Sequence, residues 1–270
     1  MPIGNTDLAA TKNDLIIEAV QRELIARAVL MPSIADYSAF AGKGSRSIAV
    51  PRAGSFAVED RATTAQATLA NVTYATDSIT LDQMSTVSWV VDPQDEIESS
   101  VDVEMDLAAR AARAHARNFD NLVIAGLEAD ATATATAGAI TKDIILEMRE
   151  TLLSAEADPS QLSLVVGPDS EAALLGIAEF VEPDRYGSAV IPSGVLGRLY
   201  GVEVRVSTLV GASTYYMYDR DGYGFAIQQQ PNIGERAAPE YGSRAVLRTM
   251  DMKWGHDQLQ NGVLLVKDAN

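Results

Sequence analysis

The stretch DSITLDQMSTVSWVVDPQDEIESSVDVEMDLAARAARAHARNFDNLVIAGL, Asp77 to Leu127, changes its apolar period partway along. Ile79, Leu81, Val87, Trp89 and Val91 keep odd positions, the period of a strand with one buried face. Asp92-Pro93 then reads as an N-cap followed by proline at the first helical position, where its missing N–H costs nothing. No proline or glycine follows until Gly126, so the spacing predicts one helix of more than thirty residues to Leu127, roughly 50 Å at 1.5 Å per residue. Acidic residues crowd its first half, and Arg110, Arg113 and Arg117 follow in the second, so both ends complement the helix dipole. Ile97, Val101, Met105, Ala108 and Ala112 form the expected apolar stripe. A heptad started at Ile97 and Val101 puts Glu104 and His115 in the seam, which argues against a dimeric coiled coil. The charges exclude a membrane span.

Upstream, Ala41 to Asp92 is rich in Ser, Thr, Gly and Ala yet patterned as strands. Ser47 to Pro51 and Thr68 to Ala75 read as short strands and Ser78 to Val91 as a long return strand, with Arg52, Glu59, Asp60 and Arg61 towards the tip of a hairpin arm. Such an arm has too few apolar residues for a core of its own, and its edges invite pairing by another copy of the chain. Before it, Met1 to Asn13 is a polar arm, and Leu15, Ile16, Ala19, Val20 and Leu24 mark one face of a helix that reaches about Leu30 and ends at Pro32.

Downstream, EADATATATAGA, Glu128 to Ala139, has the composition of an extended linker and a domain boundary. Thr141 to Glu156 reads as a helix, Leu162 to Val166 as a buried strand, and Gly167-Pro168-Asp169-Ser170 as the turn into a helix over Glu171 to Ala178. Phe180 to Ser193 is a loop; Gly201 to Ser207, Thr214 to Asp219 and Tyr223 to Gln229 are strands. Ala245 to Trp254 alternates as a long strand able to pair with the strand before the long helix, and Gly262 to Lys267 is a final strand. The class is α+β.

With 47% hydrophobic and 21% charged residues among 270, the chain can bury one large or two modest cores. A net charge of −16 and a pI near 4.5 argue against a surface that grips nucleic acid, which needs clustered Lys and Arg. The absence of cysteine removes disulfides, thiol catalysis and thiolate metal sites together. No apolar run of signal-peptide type opens the sequence.

Enzyme motifs are fragmentary. Ala41-Gly42-Lys43-Gly44-Ser45 lacks the spacing of a phosphate loop, and Asp219-Arg220-Asp221-Gly222 lacks the later ligands of a calcium loop and reads as a turn between strands. His115 and His256 are the only histidines, too few for most zinc sites; His256 beside Asp257 has no nucleophile elbow to serve. The residues therefore assign no catalytic, cofactor-binding or metal site.

Taken together, Ala49-Val50-Pro51-Arg52-Ala53-Gly54 in the arm, Val87 to Leu127 as strand and helix, Leu164-Val165-Val166-Gly167-Pro168 before a helix, and Leu196 to Val204 entering a strand resemble, in that order, the major capsid protein of tailed bacteriophages, the Hong Kong 97 fold. The resemblance covers nearly the whole chain. It implies an N-terminal arm and helix over 1–40 and an extended loop over 41–92. A peripheral domain with a spine helix follows over 93–140, then an axial domain over 141–223, with 224–270 returning to complete the peripheral domain and its sheet. It further implies hexamers and pentamers tiling an icosahedral shell around double-stranded DNA, assembled in the host cytoplasm, with each loop lying over a neighbouring subunit. The partners are other copies, portal and decoration proteins, and a separate scaffold, since the first core helix comes within about fifteen residues of Met1; DNA would be enclosed without sequence-specific binding, and no membrane is involved. Arg52, Glu59, Asp60 and Arg61 are the candidate interface charges at the loop tip, with Asp95, Glu98 and Asp102 of the spine helix as acidic partners for the two arginines. Two rivals stay open: an encapsulin compartment of the same fold, and a soluble enzyme or binding protein with an inserted hairpin.

The best-known member of that family joins a loop lysine to an asparagine of another subunit. Here the lysines are Lys12, Lys43, Lys142, Lys253 and Lys267, so the loop tip has none. The expected shell is non-covalent: mature particles should run as a single band on a reducing denaturing gel, and a ladder of cross-linked chains would contradict this.

Overall fold

The computed structural model describes residues 16–24, 27–42, 44–53, 74–92, 103–131, 133–135, 138–176, 197–242, 245–259 and 265–268. Helix α1 (residues 16–24) buries Ile16, Val20 and Leu24, as its spacing predicts, but the helix does not reach Leu30; residues 28–30 leave it and a short 3-10 turn over Met31–Ser33 carries Pro32. Strand β1 (Ala35–Asp36) follows, then β2 (Ser47–Ala53) and β3 (Tyr74–Thr80), which pair antiparallel from Ser47 opposite Thr80 to Ala53 opposite Tyr74.

The long return strand is in fact two. After β3 the chain breaks at Leu81-Asp82, and β4 (Gln83–Val91) joins a different sheet. At the break Leu81 is buried, and the backbone at Thr80 passes so near Gly255 that a Cβ on that glycine would lie 1.9 Å from the Thr80 carbonyl oxygen.

Helix α2 (Val103–Asp130) is the described part of the long helix. It runs three residues past the expected end. Its buried face is also shifted: Met105 is 40% exposed while Glu104, Ala108, Ala111, Ala112, His115, Ala116, Phe119, Asp120, Val123, Ile124 and Leu127 are buried. Glu104 and His115, which speak against a coiled coil, thus do lie on the contact face, but against this chain's own sheet and with polar partners there.

That sheet has four strands in the order β1-β10-β11-β4, with β10 (Tyr223–Ala237) and β11 (Val246–Gln258) longer than the sequence pattern indicates. β11 pairs antiparallel with β4, Val246 opposite Val91 to Trp254 opposite Gln83, so the strand before the long helix has the expected partner. The second sheet has six strands, β5-β12-β9-β6-β8-β7: β5 (Ala133–Ala135), β6 (Leu162–Val166), β7 (Arg198–Leu199), β8 (Val202–Val206), β9 (Tyr215–Asp219) and β12 (Leu265–Asp268). Two expectations change here. The Ala-Thr linker contributes β5, parallel to β12, because Thr and Ala accept extended backbone once an edge is offered. The final strand pairs with β9 and β5 instead of returning to the four-stranded sheet.

Alternation along β6 and β9 sends side chains to two cores. Leu162, Leu164, Val166, Tyr215 and Met217 pack with Ile144, Ile145, Met148 and Leu152 of α3 (Lys142–Ser154) and with Leu174 of α4 (Pro168–Leu175). Val165, Tyr216 and Tyr218 face α2, where they meet Phe119, Val123 and Leu127 together with Phe225, Met252 and Trp254 of the other sheet. Phe119 is the hub, edge-on to Phe225 at 5.3 Å between ring centroids and 4.5 Å from Trp254. A buried aromatic of this kind is worth about 1.5–3 kcal/mol by area alone.

The N-terminal segment reaches this core through polar anchors. Asp120 of α2, buried, accepts from the backbone N–H of Val29 through Oδ2 (2.9 Å) and of Leu30 through Oδ1 (3.1 Å). Arg205 of β8 donates Nη1 to the Val29 carbonyl (3.0 Å), and Ser33 Oγ donates to the Leu30 carbonyl (2.7 Å) and lies 2.6 Å from Tyr218 Oη. Helix, N-terminal segment and six-stranded sheet thus share one network. Burial holds the Asp120 carboxyl above its usual range, against the lowering effect of its two backbone donors and of Arg205.

Asp120→Ala leaves one buried and one partly buried N–H group without an acceptor, so urea unfolding should show a loss of about 2–4 kcal/mol. Asp106→Ala, which breaks only the exposed pair with Arg110, should change stability by less than about 0.5 kcal/mol. Equal losses in the two variants would contradict the anchoring role.

Candidate inter-subunit interface

The β2–β3 hairpin has apolar support only at its root. Ile48, Ile79 and Leu81 are buried with Ala35, Ala226 and Leu259, and Val50 packs against that cluster. From there outward along β3, Ser78, Thr76, Ala75 and Tyr74 are exposed, with Tyr74 at 71%. Among the described residues the two strands pair only with each other, and neither outer edge has a strand partner there. Seven residues of strand carry the arm about 23 Å from its root.

Of the seven candidate interface charges, Arg52 is described, and it lies on the outer part of this hairpin. One guanidinium nitrogen is 3.7 Å from an Asp77 oxygen, diagonally across the strands, and Arg52 remains about a third exposed. A pair this open contributes little to stability, and the guanidinium keeps further donors for a second acceptor. Glu59, Asp60, Arg61, Asp95, Glu98 and Asp102 lie outside the described residues, as do the N-terminal arm, the loop at 180–193 and the first turns of the long helix.

The acidic residues of α2 that are described serve this subunit. Glu104 is buried against Arg248 of β11, which also pairs with Glu235 of β10, so one guanidinium ties helix and sheet together. Glu23 of α1 accepts from Arg113 of α2 (2.9 Å) and from Arg27 (3.0 Å), and these two partners, Arg113 first, lower its carboxyl below the usual range. Neither Asp120 nor this arginine bridge is marked by any motif. The available signal is a charged residue at spacing four within an apolar stripe, as Ala116, Asp120 and Ile124 present it.

Both histidines are packed as neutral side chains. His115 donates from Nε2 to the Met250 carbonyl (3.3 Å) and accepts at Nδ1 from Ser85 Oγ (3.0 Å), which pins α2 to β4 and β11; burial lowers its pKa from 6.5. His256 Nδ1 hydrogen-bonds with Tyr223 Oη (2.7 Å), while Asp257 accepts from the Gln258 N–H, so each is engaged with a partner other than the other. The Tyr223–His256 pair also explains the glycine at position 126 of α2: a Cβ there would lie 2.0 Å from Tyr223 Oη. Gly44-Ser45 leads into strand β2 and not a helix, so no phosphate loop forms there. The 219–222 stretch is a 3-10 turn in which Asp219 accepts from the Asp221 N–H, and among the described residues no three His, Cys, Asp or Glu side chains gather as a metal site.

The arrangement is an anchored body with a partly supported arm. A family model described as phage capsid protein matches residues 89–254, from the end of β4 to Trp254 of β11. No curated protein matches the sequence. Among solved structures, one from Mycobacterium phage Che8 superposes with a TM-score of 0.72 at 17% identity, covering 90% of this chain and 91% of that one. The capsid of cyanophage P-SCSP1u gives 0.69 at 11% identity, covering 89% and 88%, and a virus-like particle from Pyrococcus furiosus gives 0.65 at 12%, covering 95% and 99%. At these identities the likeness is one of fold, the Hong Kong 97-like α+β arrangement expected from the sequence.

Because the folded-state pKa of His115 lies below 6.5, the unfolded chain takes up the proton first as pH falls. Its contribution is complete above pH 6.5 and is lost on descending below it. Urea unfolding from pH 8 to about 5 should show the stability gap between wild type and His115→Gln shrinking as the solution is acidified. A gap independent of pH would contradict the neutral, buried assignment.

Proposed function

The chain belongs to the phage capsid protein family, and from that membership we propose that it is a major capsid subunit whose work is assembly with copies of itself into hexamers, pentamers and a closed shell around double-stranded DNA. The observation that carries the reading is the hairpin: β2 and β3 extend from a well-anchored body with apolar support at the root alone. Outer edges with no strand partner among the described residues, and exposed residues at this position, suit a surface completed by a neighbour. The division into arm, extended loop, peripheral domain and axial domain follows the same reading, as does assembly in the host cytoplasm with a separate scaffold, a portal and decoration proteins.

The mechanism is mechanical and not catalytic. Helix α2 is the beam, tied to β11 through Glu104–Arg248 and His115 and to the N-terminal segment through Asp120. The arm clamps the next subunit, and its tip charges Arg52, Glu59, Asp60 and Arg61 set register against acidic residues such as Asp95, Glu98 and Asp102 of a neighbour. A chain of net charge −16 also suits a wall on which packaged DNA must slide without sticking.

A second reading, a compartment of the same fold enclosing a cargo protein, draws on the near-complete coverage of the virus-like particle chain. Nuclease-resistant DNA in particles from the native source supports the viral reading, and a co-purifying cargo protein in its place supports the other.

Arg52→Ala with Arg61→Ala should leave the subunit folded but yield particles that break at lower temperature than wild type, read by light scattering on a thermal ramp. Particles of unchanged yield and heat resistance would remove the two arginines from the interface.

A further inference from the structure

The chain has 37 acidic residues against 21 basic, and its described arginines are largely engaged within the subunit: Arg22, Arg27, Arg110, Arg113, Arg236 and Arg248 each sit in an ion pair with an acid of the same chain. Arg46 and Lys253 have no ion pair among the described residues, and both line one recess of about 690 Å³. The amides of Gln228, Gln229 and Asn232 complete its polar wall, and no carboxylate is among the described residues that line it. Asp251, two residues before Lys253, is outside the lining and accepts from Thr86 Oγ1 (2.7 Å).

The fold builds this recess. The pairing of β10 with β11 slips twice, between Ile227 and Gln229 and between Gln229 and Asn232, which opens the sheet next to Lys253. Met252 and Trp254 are buried in the core beneath the sheet, so strand alternation sends Lys253 to the opposite face. Gln228 donates Nε2 to the carbonyls of Gly42 (2.9 Å) and Ser45 (2.8 Å), holding the backbone that leads directly into Arg46. The two cations are therefore presented from fixed backbone, at the root of the hairpin, with the exposed Met84 paired beside Lys253.

We propose that this recess receives an acidic side chain of a second copy of the chain, its carboxylate held between the Arg46 guanidinium and the Lys253 ammonium with the amides as further donors. This rests on the shell reading and adds to it a specific receptor on the body of the subunit, separate from the charges of the arm tip. Charge complementarity favours a copy of the chain as the occupant: a subunit with sixteen negative charges in excess presents carboxylates to its neighbours and a basic recess to receive one. DNA is a poorer fit. Duplex binding is assembled from many phosphate contacts along a basic surface, and two cations inside an acidic protein do not supply them.

The test uses particles assembled from an equal mixture of isotopically light and heavy chains, treated with a water-soluble carbodiimide, which joins an amine to a carboxylate in direct contact. Mass spectrometry should find Lys253 linked to an Asp or Glu peptide, with light–heavy pairs present. In parallel, Arg46→Glu with Lys253→Glu should keep the wild-type circular dichroism and melting of the free subunit while lowering particle yield by about tenfold or more. Particles that form normally from the double variant, with Lys253 unlinked or linked only within its own chain, would overturn the inference and leave the shell reading intact. Protection of Lys253 from acetylation in DNA-filled particles but not in empty ones would overturn it in favour of phosphate. A chain that forms neither particles nor capsomers brings down the shell reading and this inference with it.

Discussion

A carboxylate buried in the middle of the long helix holds the subunit together. Asp120 satisfies the backbone N–H groups of Val29 and Leu30 at the point where the N-terminal segment turns between α2 and the six-stranded sheet. Without that acceptor the segment could still be apolar, but its backbone donors would be stranded in a core otherwise made of Phe119, Tyr218, Phe225 and Trp254. Arg205, Ser33 and Tyr218 extend the same network to β8 and β9. The consequence is a body in which one helix touches both sheets and the N-terminal segment at once.

The polar anchors repeat along α2. Glu104 with Arg248, His115 with Ser85 and Met250, and Asp120 with Val29 and Leu30 each join the helix to a different partner. The alanines between them let the sheet come close, and closeness is what allows such short side-chain bonds to be made. A helix held in this way keeps its direction relative to the sheet, which is what a beam in a shell requires. The hairpin is the opposite case: its few apolar residues are spent at the root, and beyond Val50 and Ile79 its sides are left to whatever lies against them.

Much of this was legible in the residues. The strand before the long helix, its partner strand over Ala245 to Trp254, the helix after Thr141 and the turn at Asp219 to Gly222 follow from alternation, capping and turn chemistry. The helix expected over Glu171 to Ala178 instead spans Pro168–Leu175, because the residues read as its turn form its first turn with proline at the opening position. The failures have physical reasons. Met105 reads as core by hydropathy, yet Glu104 takes that place because Arg248 waits on a strand more than a hundred residues away. The Ala-Thr run reads as a linker because its strand character depends on an edge that β12 supplies. The split between β3 and β4 falls where Thr80 passes close to Gly255, a contact between distant segments that no local pattern records. Of the candidate interface, only Arg52 falls among the described residues, so its role rests on position at the outer hairpin and on charge.

On the proposed function the body is complete within one subunit while the hairpin is completed by another. Hydrogen–deuterium exchange on free subunits and on assembled particles tests it directly. Amides of α2 from Ala111 to Leu127 should be protected in both, whereas those of Ser47–Ala53 and Tyr74–Thr80 should exchange quickly in the free subunit and slowly in the particle. Hairpin amides equally protected in the two states would mean that the arm is stabilised by its own chain and not by a neighbour.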